Sequence, residues 1–311
     1  MSSSLDSLLS NKISIGLPVY NGELFIKKSI DSILSQSHSN FELIISDNAS
    51  TDKTSQICQE YVKRDNRIIY FKQPRNIGPH RNYFFLLNKA NHGYFIYVAA
   101  DDFLDSNYIQ ENLKILISDP NIVSSVGKVK PYGTNEIQIN SVLIDTVQYP
   151  KFIKNYIKSN RRKKMLDTES VTGTYENKVR HFLKITKSLR RWYGLHRTEQ
   201  LKKCIIDKPF INNEVSVFLN LLKFGDFFEC KDTALHEFDE GISSRGILNT
   251  IKISEHNFFG TIFPFYPFTK WCLDNFGYKL FFKNFDIFFL MSCGGTFALL
   301  IDIFLKFKSK L

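Results

Sequence analysis

The sequence predicts an α/β fold, a mostly parallel sheet flanked by helices, followed by an aromatic-rich helical appendage. Three observations predict it. Apolar runs of strand length alternate with helix-periodic segments through the first 118 residues. Those runs are too uniformly apolar to keep one face wet, so they read as strands covered on both sides. From about Phe258 onward the chain is crowded with aromatics, as FFGTIFPFYPFTKW and FGYKLFFKNFDIFF.

Taken in order, Lys12 to Tyr20 (KISIGLPVY) alternates Ile13, Ile15 and Leu17 with small residues and reads as a strand stopped by Pro18. Asn21-Gly22 supplies a turn, and Glu23 suits the first turn of a helix that buries Ile26, Ile30, Ile33 and Leu34. Glu42 to Ser46 is a second strand, ending at Asp47. Ser50 or Thr51 is placed to cap the next helix, which carries Ile57 and Tyr61. Ile68 to Phe71 is a third strand, followed by the loop KQPRNIGPHRN and a helix around Phe84 to Leu87. Right-handed strand–helix–strand units of this kind build a parallel sheet.

The fourth strand, YFIYVAADDFL from Tyr94, ends abruptly in Asp101 and Asp102. Ligands of open α/β sheets bind at such carboxyl ends. Two adjacent acids there repel unless a cation or a hydroxyl-rich ligand shares them. The plainer alternative is a solvated loop in which Asp105 or Ser106 caps the helix bearing Ile109, Leu113 and Leu116.

Beyond this the pattern weakens. Ile122 to Val129 is a further strand candidate, Ile137 to Val147 alternates in part, and Lys151 to Lys187 is polar and basic. Helices are expected at Thr198 to Cys204 and after Pro209, the latter with Val215, Phe218, Leu219 and Leu222 on one face, Glu214 in its first turn and Gly225 closing it. The domain scheme is an N-terminal stretch 1–12, a principal domain 13–235 with halves 13–118 and 119–235, and a C-terminal region 236–311.

The formal net charge is +10, yet the only dense basic run is Arg161 to Lys164, too short for a nucleic-acid face. With 43% hydrophobic residues the chain is not disordered. Its five cysteines are far apart, without metal-ligand spacing, and read as reduced thiols. MSSSLDSLLSNK lacks the apolar core of a signal peptide, so a cytoplasmic location is expected. The longest uncharged C-terminal run, Ile287 to Ile301, falls short of the ~20 residues that span a bilayer. With Lys306, Lys308 and Lys310 following, it suggests a helix lying in the membrane interface, at the inner face of the membrane. The alternative is packing on the sheet or on a second subunit.

ISIGLPVYNGELFIKKSIDSILSQSHSNFELIISDNASTDKT, then NIGPHRN, then AADD, resembles the opening of glycosyltransferase family two, whose fold is of the GT-A type. The resemblance runs from Ile13 to Leu116 and loosely on to Gly225. It implies a nucleotide-diphosphate-sugar site, with Pro18, Tyr20 and Glu23 lining the nucleotide. Asp47 and Asn48 would meet the base, and Arg81 the diphosphate or base. Asp101 would contact ribose or metal, and Asp102 would ligate a divalent cation, Mn²⁺ or Mg²⁺. A further acid often found two positions before Asp101 is replaced by Ala99. Glu214 matches the position of the general base.

His236 is a weaker metal-ligand candidate and a packed histidine otherwise. Trp192 and Tyr193 form either an acceptor-sugar platform or core. Arg161 to Lys164 would meet a lipid diphosphate or simply solvent. The expected activity is inverting, metal-dependent transfer from a nucleotide-sugar donor, a UDP-sugar, to a glycan or lipid-linked acceptor. That activity would serve cell-surface polysaccharide synthesis, with peripheral membrane contact. The rival is a non-catalytic nucleotide-sugar-binding or scaffold protein of the same fold.

Overall fold

The computed structural model describes residues 10–133, 168–185, 189–238, 251 and 258–308. The partly alternating segment 137–147, the Arg161 to Lys164 run and most of 1–12 lie outside these residues.

The first half is the expected strand–helix alternation. It comprises β1 (Ile13–Val19), α1 (Ile26–Leu34), β2 (Phe41–Asp47), α2 (Thr54–Arg64), β3 (Ile68–Lys72), α3 (Pro79–Lys89) and β4 (Tyr94–Tyr97). Then come β5 (Phe103–Leu104), α4 (Tyr108–Ser118) and β6 (Ile122–Tyr132). The second half adds α5 (Tyr175–Ile185), a 3-10 turn (Leu189–Tyr193), β7 (Leu195–Arg197), α6 (Thr198–Cys204), α7 (Asn213–Leu221) and β8 (Asp226–Phe238). The appendage holds α8 (Phe258–Ile262), α9 (Tyr266–Lys283) and α10 (Phe285–Lys308).

Among the described residues, eight strands form one sheet in the order β3-β2-β1-β4-β7-β6-β8-β5. β1, β2, β3 and β4 are mutually parallel neighbours. The short β7 enters antiparallel between β4 and β6, and β8 runs parallel to β6. Two reversals restore direction, so β1, β2, β4, β6 and β8 all point their carboxyl ends at one edge. β5 folds back antiparallel on β8, matching Phe103 with His236. The sheet is therefore parallel in its first half and mixed in its second.

The core has two layers because β4 is buried on both faces. Phe95 and Tyr97 face a cluster with Leu86, Phe182, Trp192 and Phe218. Tyr94, Ile96 and Val98 face one with Ile30, Tyr108 and Leu113. Phe268, Cys272, Phe281 and Phe288 of the appendage join the first cluster, so one side of those helices packs on the domain. Arg180 pairs with Asp286 at 3.0 Å and Lys283 with Glu176 at 2.9 Å to pin them.

Several local expectations are corrected by longer-range contacts. Pro18 lies inside β1, opposite Ser46, and the strand runs one residue further. Glu23 precedes α1 rather than joining its first turn, and its carboxylate accepts from Lys53 N–H at 2.9 Å. Asp52, not Ser50 or Thr51, accepts from Thr54 N–H at the head of α2. β8 passes through the expected boundary at residue 235 and continues to Phe238.

Gly225 does not cap a helix in the left-handed region. A Cβ there would lie 2.1 Å from the Asn121 carbonyl oxygen, where the neighbouring Asp226 N–H donates to that same oxygen at 2.8 Å. The glycine is required by the close approach of two backbones. Gly225→Ala should cost about 1–3 kcal/mol and lower the melting temperature by roughly 2–10 °C. Thermal denaturation followed by circular dichroism reads this, and an unchanged midpoint would show that the approach is not tight.

Candidate active site

The loops after β1, β2 and β3 are sewn together at the common edge. Asn21, at φ 50°, donates its N–H to Ser50 Oγ at 2.9 Å and accepts from Thr51 N–H at 2.9 Å. Gly22 N–H donates to Thr54 Oγ1 at 2.8 Å, and Glu23 N–H to Asp52 at 3.1 Å. Asn48 donates to Asn76 at 3.0 Å and accepts from Ile77 N–H at 2.8 Å. Asp47 is buried, one oxygen accepting from Ser50 N–H at 2.8 Å and the other from Tyr70 O–H at 2.7 Å. Asp47 and Asn48 thus fix the loops, each carboxylate oxygen of Asp47 retaining acceptor capacity, while Pro18 lies buried in β1 opposite Ser46. Tyr20 and Arg81 lie exposed at the rim, Arg81 in the first turn of α3.

Asp101 and Asp102 follow β4 at the same edge. Asp102 is 3% exposed and accepts from Phe238 N–H at 3.0 Å. The Tyr132 hydroxyl donates to the Asp101 backbone carbonyl. Thus β8 and β6, whose ends face this edge, clasp the acidic turn from the far half of the sheet. Burial holds both carboxyls above the usual carboxylate range. The charge of Asp101 raises Asp102 further, and Glu237 adds to both. Arg190 opposes this at Asp102, and it is itself ion-paired with Glu237.

Two adjacent like charges, one buried at Asp102 and one half-buried at Asp101, are what a divalent cation relieves. Carboxylate oxygens suit Mg²⁺ or Mn²⁺, which bind through one or two carboxylates plus phosphate oxygens. Among the described residues no group of three His, Cys, Asp or Glu is assembled for a metal. The protein's share would therefore be the aspartate pair, with phosphate completing the shell. Ala99, where a further acid is expected, turns its carbonyl to Ser29 Oγ at 3.1 Å and to Asp102 N–H at 3.1 Å.

Glu214 opens α7, held there by Asn213, whose amide donates to the Ile206 and Lys208 carbonyls at 3.2 and 2.5 Å. The preceding Asn212 is in the left-handed region at φ 65°. Burial raises the Glu214 carboxyl above its ordinary value. The Tyr83 phenol, raised first by burial, is raised further by Asp101, Asp102 and Glu214 together. One buried hydroxyl thus senses both the aspartate pair and the acid expected to act as base.

The remaining candidates separate cleanly. Trp192 is 7% exposed and stacks on Tyr97 at 5.0 Å and 8°, so it belongs to the core. Its neighbour Tyr193 is partly buried against both core clusters and feels the charge of Asp101 and Asp102. His236 stacks on Phe103 at 4.3 Å and turns Nε2 to Asp105 at 2.8 Å, the role of a packed histidine rather than a metal ligand. Tyr83, Arg190 and Glu237 went unremarked in the sequence. Two adjacent arginines before Trp-Tyr-Gly were the available signal for Arg190.

Comparison with known proteins agrees with this geometry. The family model for glycosyl transferase family 2 matches residues 14–181, more than half of the chain. Glycosyltransferase GlyA of Streptococcus pneumoniae is 33% identical over 117 residues, covering 35% of this chain and 16% of that protein. An uncharacterized glycosyltransferase of Haemophilus influenzae is 36% identical over 107 residues, covering 34% and 43%. The putative teichuronic acid biosynthesis glycosyltransferase TuaG of Bacillus subtilis is 32% identical over 107 residues, covering 34% and 42%. The chain spans less than half the length of each of these relatives. Staphylococcus aureus TarS 1-349 superposes with a TM-score of 0.52 at 20% identity, over 73% of this chain and 60% of that one, a likeness of fold. On the extent of the family match, together with the strand-end site it covers, the chain belongs to glycosyl transferase family 2.

Proposed function

We propose that this protein is an inverting, cation-dependent glycosyltransferase. Its donor is a nucleoside-diphosphate sugar, specifically a UDP-sugar, and its acceptor is a hydroxyl of a glycan or lipid-linked glycan. It works at the cytoplasmic face of the membrane in cell-surface polysaccharide synthesis. The observation that supports this reading is that the charges of Asp101, Asp102 and Glu214 all act on the Tyr83 phenol. A site for the leaving diphosphate and a nearby base are what such a transfer needs. TuaG's description, teichuronic acid biosynthesis, supports a polysaccharide product.

Glu214 takes the proton from the acceptor hydroxyl as its oxygen attacks the sugar's anomeric carbon. The bond from that carbon to the diphosphate oxygen breaks, and the electron pair leaves with the diphosphate. One displacement inverts the anomeric centre. A divalent cation held by Asp101 and Asp102 would neutralise the charge developing on the leaving diphosphate. Arg190 adds a buried positive charge on the same side, steadied by Glu237. Tyr83 and Tyr193 pack partly buried against the aromatic core, and the charges of both aspartates act on them.

Transfer from a panel of nucleotide sugars, with and without Mn²⁺, tests the activity. Nucleotide binding without turnover from any donor would instead establish the scaffold reading.

Asp102→Asn keeps an acceptor for Phe238 N–H while removing one of two adjacent like charges. The metal-free variant should melt roughly 2–4 °C higher, while transfer falls about a hundredfold or more. Added Mn²⁺ should raise the melting point of the wild type only. Full turnover by the variant, or by the wild type in chelator, would sink the cation assignment.

Glu214 must be ionised to act, and its carboxyl titrates above the ordinary glutamate range. The rate should therefore climb with pH through that raised value and level off above it. Glu214→Gln should lose about 10²–10⁴ in kcat together with this acidic limb. Survival of the limb in the variant would assign it to another group.

A further inference from the structure

The appendage has an inner and an outer side of different character. Along α10, Phe288, Leu299 and Asp302 are at most 9% exposed and share one stripe. Gly295 lies on that stripe, where a Cβ would come 2.2 Å from the Phe265 ring. The opposite stripe is also apolar, and it faces outward. Phe285, Phe289, Leu290, Phe297 and Phe304, with Phe282 of α9, are each between 49% and 70% exposed. A helix apolar all round is stable when both sides are covered. A continuous patch of this kind marks a contact surface.

We propose that this outer face docks on an anionic phospholipid bilayer, with α10 lying along the interface and its aromatic side chains in the acyl boundary. The proposal rests on the membrane-face reading above and adds which surface meets lipid. Three observations select this occupant.

The segment Phe285–Phe304, 20 residues of mean hydropathy 2.0, is long and apolar enough to cross a membrane. Continuous helix thus carries the apolar surface past the charge of Asp302, which turns inward. The inner stripe is occupied by the protein's own Phe265, Phe268 and Phe281. A spanning helix would need lipid on every side, so the geometry favours an in-plane helix with one face in lipid. Finally, charge favours anionic headgroups. Lys279 is exposed on α9, Lys306, Lys308 and Lys310 follow the apolar run in sequence, and the chain carries +10 overall. A second copy would bring like charge to like, whereas an anionic surface attracts each basic residue.

Cys293 lies on the outer face and is exposed, whereas the other four cysteines are buried. A bimane label on Cys293 of the full chain therefore reports this face selectively. With phosphatidylcholine–phosphatidylglycerol vesicles the emission should shift to the blue and be quenched by bromo-acyl lipids. Pure phosphatidylcholine should bind several-fold more weakly. The double variant Phe289→Glu/Phe297→Glu should lose about tenfold or more in vesicle co-sedimentation. It should keep the wild-type melting temperature and its turnover on a soluble acceptor. That last measurement separates failure of the docking surface from failure of the catalytic reading. Emission unmoved by vesicles, or undiminished vesicle binding by the variant, would overturn the proposal. So would a lipid-free wild-type dimer that the substitutions disperse, which would assign the face to a second copy.

Discussion

Two carboxylates stand side by side just past the end of β4, Asp102 buried and Asp101 half-buried, and much of the surrounding structure answers to them. Removing charge from water costs several kcal/mol per ion unless it is paired. Here the protein gives Asp102 one amide, from Phe238, and one cation at a remove, Arg190, whose charge Glu237 has largely claimed. The compensation is incomplete by construction. A site left electrostatically short in this way is complementary to a cation and its diphosphate, because the ligand supplies what the fold withholds. The second half of the sheet has its purpose here. Without β6 and β8 running in the direction of β4, neither Tyr132 nor Phe238 would reach the acidic turn.

The same constraint explains what could be read from the sequence and what could not. β1, β2 and β4 announced themselves because burial on both faces leaves an uninterrupted apolar run, and the acidic pair stood out against it. β8 was invisible. It pairs with β6 through register shifts, one of which carries the pairing from Cys230 to Ala234, and its exposed positions break any alternation. Phe238 lies 136 residues from Asp102, and no local pattern connects them. Glu214 was legible as a residue at a helix start, but not its shared neighbour Tyr83. The errors at Glu23 and Gly225 have one cause. Each was assigned by a helix-end rule, and in each a contact from elsewhere in the chain, Lys53 N–H or the Asn121 carbonyl, decides the role instead.

Trp192 shows how a packed residue still serves the site. Its ring stacks on Tyr97 of β4 and meets Phe218 of α7 edge-on at 5.6 Å. The strand that delivers the aspartates, the turn that delivers Arg190 and Tyr193, and the helix that delivers Glu214 therefore meet in one aromatic layer. Side chains in such a layer do not slide freely, since interiors are close-packed. The spacing between the aspartate pair and Glu214 is set by this packing. Positioning of this kind is where much of the rate of a displacement reaction originates.

That layer continues outward. The Tyr175 hydroxyl of α5 donates to the Leu219 carbonyl of α7 at 3.3 Å, and Cys272 and Phe268 of α9 share the core with Leu219 and Leu222. The helices proposed to meet lipid thus pack against the helix that carries Glu214. A lipid-linked acceptor would arrive along the membrane plane, on the side of the molecule where its hydroxyl must be deprotonated. Placing the bilayer contact behind the base, rather than behind the nucleotide loops, leaves the rim at Tyr20 and Arg81 open to water, from which a soluble nucleotide sugar would enter. The two substrates would then approach from different phases to a centre held rigid between them.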